Sequence, residues 1–107
     1  MEIALEPDIL IYAGRLGILA RYTLHSTADI GLPMCAVTLI HRKGYYRQRL
    51  DENGWQLEEQ NSCDIGKFMK ELSPRVIVRI DGRHVQIRCW IYEIHGFSGK
   101  VITIHLL

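Results

Sequence analysis

Apolar and polar positions change rhythm twice along the chain, dividing it into a helical opening, a polar middle and a β-rich end. Leu16, Leu19, Ala20, Leu24 and Ala28 recur at helical spacing and would share one buried face. Gly14 and Gly17 mark the turn that opens this helix. Gly31 and Pro33 end it, since glycine suits the left-handed position past a helix and proline cannot continue one. Met34 to Ile40 is a continuous apolar run, the pattern of a strand covered on both faces. Upstream, Met1 to Leu5 reads as a short buried strand, Glu6-Pro7-Asp8 as a turn, and Ile9 to Tyr12 as a brief apolar lead-in. Strand, helix and strand in that order would form a right-handed βαβ crossover.

The middle is polar. His41 to Leu50 mixes basic and aromatic residues and reads as a solvated hairpin arm, with Tyr45 or Tyr46 over the sheet edge. Its Arg and Tyr side chains would also suit phosphate or sugar. Asp51-Glu52-Asn53-Gly54 turns the arm, because Asn-Gly favours positive φ, and Trp55 would anchor the return strand in an apolar pocket. Glu58 to Cys63 reads as loop. Asp64 to Leu72 reads as a short helix capped by Asp64, with Ile65, Phe68, Met69 and Leu72 on one face, weakened by Gly66 and stopped by Ser73-Pro74.

From Arg75 the period becomes two. Val76, Val78 and Ile80 alternate with Arg75, Ile77 and Arg79, and Asp81-Gly82 is a two-residue hairpin signal. Val85, Ile87, Cys89 and Ile91 then alternate with Gln86, Arg88, Trp90 and Tyr92. Gly96-Phe97-Ser98-Gly99 makes a second turn, and Ile102, Ile104 and Leu106 share one face of a last strand. The expected fold is therefore α+β: an amphipathic helix after a glycine turn, a short second helix, and a mainly antiparallel C-terminal meander with one buried and one wetter face.

Composition narrows the function classes. A chain of 107 residues suits one small domain. A formal net charge of +1 gives no basic excess, which argues against a dedicated nucleic-acid binder. The apolar runs are too short to span a bilayer, and Glu2, Glu6 and Asp8 stand where a basic leader would be. Cys35, Cys63 and Cys89 are an odd, widely spaced set without a C-x-x-C, in keeping with reduced thiols in the cytoplasm. His25, His41, His84, His95 and His105 are scattered, so no metal site is expected. His25 and Asp29, at i and i+4, read as a surface pair rather than a catalytic dyad. No nucleophile signature is present, and no residue is assigned a catalytic role. The chain begins in one apolar segment and stops in another, as a piece of a larger unit would. Apolar faces left open in this way lead to the expectation of a homo-oligomer.

Two features carry candidate chemistry. Glu2 is the one carboxylate in an apolar context, where a charge needs a hydrogen-bonded partner. Gly14-Arg15-Leu16-Gly17 turns sharply into a helix, and backbone N–H groups collected at the positive end of a helix bind phosphate. A plain loop-to-helix entry accounts for the same glycines, and short glycine motifs are weakly specific.

Read as a string, Met1 to Ile9 and Ile11 to Ala20 resemble the N-terminal domain of the α-glucan phosphorylases, the glycogen, starch and maltodextrin phosphorylase family, closest to its bacterial and archaeal branch. The resemblance continues through Thr23-Leu24, Ala28 to Met34 and Val37 to Leu39, and is strongest from Arg42 to Gln56. Pro74 to Tyr92 and Gly99 to Leu107 follow it too, so residues 1–107 resemble one part of that domain, weakly between Leu57 and Ser73. The resemblance implies a fragment of a Rossmann-like domain in a cytoplasmic glycosyltransferase that cleaves α-1,4-glucans with phosphate to glucose 1-phosphate. It implies pyridoxal phosphate as cofactor in the full-length family, with an α-glucan or phosphate as partner. It also implies that Gly14, Arg15, Leu16 and Gly17 match the family's Gly-Gly-Leu-Gly loop near the phosphate. Arg15 departs from that pattern: a side chain there either obstructs the close approach that glycine permits or supplies a cation to the phosphate. Arg21-Tyr22 departs as well, standing where the branch has Gly-Asp. No lysine here matches the cofactor lysine, which belongs to the family's C-terminal domain. The implied role is thus a part that is inactive alone, or a glucan- or phosphate-binding remnant, or a self-associating module.

Overall fold

The computed structural model describes residues 2–7, 9, 11–41, 46–60 and 64–107. Its elements are helix α1 (Arg15–Asp29), strands β1 (Cys35–Thr38), β2 (Tyr46–Leu50) and β3 (Gln56–Gln60), a single 3-10 turn (Ile65–Lys67), and strands β4 (Lys70–Ile80), β5 (Arg83–His95) and β6 (Val101–Leu106). One sheet has the order β1-β6-β5-β4, and β2 and β3 pair as a separate hairpin. β4, β5 and β6 run antiparallel, while β1 lies parallel to β6 with Cys35 opposite Thr103 and Thr38 opposite Leu106. This is an α+β fold, mostly antiparallel. Among the described residues, parallel pairing is confined to β1 and β6, so Rossmann-like geometry stays an expectation.

The turns follow their chemistry. Asp81 (φ 48°) and Gly82 (φ 76°) are both left-handed and join Ile80 to its partner Arg83, a two-residue turn whose twist matches the strands. At the helix end, the Gly31 N–H donates to the Ala28 carbonyl and the Leu32 N–H to the Thr27 carbonyl, both at 3.1 Å. That reciprocal pair satisfies two orphan carbonyls and requires the positive φ of Gly31 (74°). In the loop between β2 and β3, Asp51 Oδ1 accepts the N–H groups of Asn53 (2.9 Å) and Trp55 (2.8 Å).

The core lies on one face of the four-stranded sheet. Ala36 and Thr38 of β1, Ile102, Ile104 and Leu106 of β6, and Ile94 of β5 are buried there, with Trp90 and Tyr92 packed against them. The register aligns them in rows: Ala36 opposite Ile104 opposite Tyr92, and Thr38 opposite Leu106 opposite Trp90. Leu24 and Ala28 of α1 complete the cluster with Ile3, Leu5, Ile9, Ile11, Ile65 and Met69. α1 meets the turn between β5 and β6 end-on. The Ser98 hydroxyl donates to the Ala28 carbonyl (2.6 Å) and the Phe97 N–H to Asp29 Oδ1 (3.0 Å). A Cβ on Gly96 would lie 2.1 Å from the Ala28 carbonyl oxygen.

Several expectations are corrected. Leu24 and Ala28 are buried as the spacing predicts, but Leu16 and Leu19 are 77% and 62% exposed, and Gly17 and Thr27 take the buried positions. The cause is the N-terminal segment: the Ala4 N–H donates to the Gly17 carbonyl (3.0 Å), so Ile3 to Leu5 lie along the first turn of the helix rather than in the sheet. The βαβ crossover therefore does not form here. β1 is an edge strand covered on one face only, with Cys35 and Val37 exposed on the other. The helix expected over Asp64 to Leu72 shrinks to the 3-10 turn. Lys70 and Glu71 pair instead with Ile91 and Trp90, a ladder that outweighs a helix already weakened by Gly66. Ser73-Pro74 sits inside β4 at the register shift between Glu71 and Arg75, on an edge strand where proline is tolerated. Glu58 to Gln60 belong to β3, not to a loop. Trp55 is 73% exposed rather than pocketed, because its hairpin is open to solvent. On β5 the core-facing set is Trp90, Tyr92 and Ile94. Tyr46 is exposed; Arg42 to Tyr45 and Cys63 lie outside the described residues.

Gly96→Ala is expected to cost about 3 kcal/mol, the upper range for forcing an atom into packed structure. Gly99→Ala, at a positive φ (78°) with open space around it, should cost about 1 kcal/mol. Urea unfolding of both variants separates a backbone collision from simple turn strain.

Candidate functional site

The glycine turn and Glu2 come together. Glu2 Oε2 accepts the N–H of Ala13 at 2.9 Å, so the carboxylate that stood out in an apolar stretch has its partner in the backbone just before Gly14. Gly14 (φ 88°, ψ −168°) is in a region that only glycine adopts readily. It caps α1 without a side-chain hydrogen bond, and no acidic residue stands in the first helical turn. That helix start therefore offers the positive end of a 15-residue helix. A Cβ on Gly14 would meet nothing within 4 Å, so the space in front of the turn is open.

Gly17 plays a different part. It is buried, and a Cβ there would lie 2.7 Å from the Tyr12 Cβ. Its bareness serves packing of the incoming chain on the helix. Arg15 is exposed at the first helical position, and Leu16 is exposed beside it. The structure thus gathers Glu2, Gly14, Arg15, Leu16 and Gly17 around one helix start. Asp29 takes the Phe97 N–H at the opposite end of α1, so His25 and Asp29 stand apart from this group. Among the described residues no three His, Cys, Asp or Glu side chains gather as a metal site. No described helix is long and apolar enough to cross a membrane.

Two further features were not legible in the residue pattern. Tyr92 Oη donates to Glu6 Oε1 at 2.5 Å across the folded chain. Burial, then the Glu6 hydrogen bond and charge, push the Tyr92 phenol up from 10 to about 12, with Arg21 opposing. A tyrosine on a core-facing row needs a partner for its hydroxyl, a signal that becomes readable only once the row is known. The second feature is a groove of about 400 Å³ between α1 and β1, lined by Leu16, Leu19, Ala20, Met34, Cys35 and Ala36. It exists because Leu16 and Leu19 face away from the core.

Comparison with known proteins identifies what the chain is similar to. It is 37% identical to a glycogen phosphorylase of Aquifex aeolicus over 93 residues, 85% of this chain and 12% of that enzyme. It is 51% identical to a glycogen phosphorylase of Mycobacterium tuberculosis over 53 residues, half of this chain and 6% of the enzyme. A maltodextrin phosphorylase of Thermococcus litoralis is 38% identical over 58 residues, 54% of this chain and 7% of the enzyme. The chain thus spans about an eighth of the first of these relatives and less of the others. No family model matches it.

The raised Tyr92 pKa sets a sign. The unfolded phenol ionises first, so the stability due to Tyr92 is fully present below pH 10 and declines as pH rises from 10 to about 12. Tyr92→Phe should flatten that decline and cost about 1.5 kcal/mol at neutral pH, the lower end for a hydrogen bond to a charged group. Denaturant midpoints against pH for both proteins check it.

Proposed function

The chain is phosphorylase-like over most of its length, and on that premise we propose that residues 1–107 act as one unit of an α-glucan phosphorylase-type glycosyltransferase of cytoplasmic carbohydrate metabolism. In this reading the unit lends a phosphate- or glucan-facing surface, and phosphorolysis of α-1,4-glucans to glucose 1-phosphate needs residues beyond these. The observation that carries it is collinear identity of 37% over 93 residues. The geometry agrees in kind: an uncapped helix start behind an open glycine turn suits an anion.

The described residues do the following in this reading. Gly14 gives a ligand oxygen close access to the backbone. The first N–H groups of α1 donate to it, and Arg15 adds a cation at the rim. Glu2 holds the turn through the Ala13 N–H. Pyridoxal phosphate, the cofactor implied by the resemblance, needs a sheltered amine for its attachment, and the described residues provide none: Lys67, Lys70 and Lys100 are all exposed, and Lys67 lies over the Phe68 ring at 5.2 Å. No step is routed through it.

A second reading has an observation of its own. Leu16, Leu19, Met34, Val37 and Leu39 are all exposed, and together they favour an interaction module that associates with further polypeptide, a second copy included.

Calorimetric titration separates the parts. Inorganic phosphate is expected to bind weakly, in the millimolar range, and Gly14→Ala to weaken it about tenfold through strain at φ 88°. Incubation with pyridoxal phosphate should produce no Schiff-base absorbance and no glucose 1-phosphate from maltooligosaccharide. Heat with neither phosphate nor maltooligosaccharide removes the binding role, and sugar phosphate released by the chain alone overturns the division of labour.

A further inference from the structure

The two edges of the four-stranded sheet differ. β4 is a guarded edge: it carries Pro74, the cations Arg75 and Arg79, and a register shift between Glu71 and Arg75. Those are devices that discourage strand addition. β1, at the other edge, is Cys35-Ala36-Val37-Thr38, with no charge and no proline. The backbone directions on β1 can be read from its neighbour. The Leu107 N–H donates to the Thr38 carbonyl and the Ile40 N–H to the Leu107 carbonyl, each at 3.0 Å. Ala36, Thr38 and Ile40 therefore turn their backbone groups toward β6, and Cys35, Val37 and Leu39 turn theirs to the edge that is open among the described residues.

We propose that β1 is the interface of a two-fold homodimer, in which a second copy adds its own β1 antiparallel along this edge with Val37 at the centre. The proposal rests on the self-association reading and specifies its surface. An antiparallel pair exchanges hydrogen bonds between directly opposed residues whose backbones face each other. Centring the axis on Val37 opposes it to the partner's Val37 and opposes Cys35 to the partner's Leu39. All the outward backbone groups then find partners in one register. The side chains agree. Cys35, Val37 and Leu39 are exposed and uncharged, so the new row is apolar on both sides of the axis and free of like charges. A two-fold perpendicular to the sheet leaves both helices on the same face. The groove lined by Leu16, Leu19, Met34 and Cys35 then opens toward the same groove of the second copy.

The area is of the right order. Leu16 (77% exposed), Leu19 (62%), Met34 (43%), Val37 (56%) and Leu39 (60%) offer together roughly 500 Å² of apolar side chain per copy. Full cover of that surface, with the backbone of the added strand, would approach the ~800 Å² per partner of a standard stable interface. A continuous eight-stranded sheet results, whose ends are the two guarded β4 strands.

The experiment is sedimentation equilibrium of the 107-residue chain over a concentration series, with Val37→Lys, Val37→Glu and Val76→Lys. The wild type is expected to dimerise. Each Val37 variant sets like charges face to face and should raise the dimer dissociation constant at least tenfold, while an equimolar mixture of the two restores dimers as Lys–Glu pairs. Val76→Lys, on the guarded edge, should leave dimerisation unchanged. Circular dichroism confirms that the variants fold, and recovery in the mixture excludes misfolding as the cause of dissociation. A wild-type dimer indifferent to the Val37 charges, or one that the mixture fails to restore, overturns this interface while leaving self-association standing. A monomer throughout the series overturns both.

Discussion

The contact on which the rest depends is the close approach of the C-terminal turn of α1 to the β5–β6 turn. Helix ends expose carbonyls that must find donors. Here the Ser98 hydroxyl serves Ala28, and Gly31 and Leu32 bend back to serve Ala28 and Thr27. Asp29 returns the bond by accepting the Phe97 N–H. Only glycine at position 96 lets the two backbones lie this near. The other end of the helix is fixed by a second glycine, Gly17, packed under Tyr12 and bonded to Ala4. With both ends held, Leu24 and Ala28 are delivered to the row of Ile102 and Ile104, and the N-terminal strip of Ile3, Leu5, Ile9 and Ile11 closes the same core.

That core is one-sided. Its sheet presents Ala36, Thr38, Trp90, Tyr92 and Ile94 to the helix and turns Cys35 and Val37 outward without cover. The Met34 to Ile40 run has the composition of a strand buried on both faces, so sequence and structure differ by one missing layer. The same imbalance explains Leu16 and Leu19, apolar residues of an amphipathic helix whose second flank meets solvent. Apolar surface of this extent is what the proposed interaction-module reading draws on.

What could be read from the sequence follows from how local the deciding forces are. Asp81-Gly82 specifies its turn through backbone sterics, and Asp51 to Gly54 theirs through the Asp51 carboxylate and the positive φ of Gly54; both hairpins form where those residues stand. The helix boundaries were equally legible, since Gly14 and Gly31 set them within the chain itself. Failures occur where a distant segment decides. Lys70 and Glu71 leave the helical pattern because β5 offers them a ladder. Leu19 loses its place in the core because residues 3 to 5 occupy the flank of the first helical turn. Trp55 stays in solvent because, among the described residues, its hairpin is exposed along β2 and the turn. At the candidate site, Glu2 and the glycine turn were each visible as features. Their meeting through the Ala13 N–H was not, and the bond between Tyr92 and Glu6 spans nearly the whole chain.

The parallel pairing of β1 with β6 has an entropic side. Cys35 and its partner Thr103 are separated by roughly two-thirds of the chain, whereas β4, β5 and β6 are joined by short turns. Joining distant segments restricts the chain far more than zipping neighbours, and the restriction is recovered only when the intervening elements are already in place. The meander is thus closed by local turns, and β1 is fastened to it by a short ladder between distant segments. Thermal fluctuation loosens that fastening before it disturbs the meander, so the least protected amides of the sheet lie along its uncharged edge.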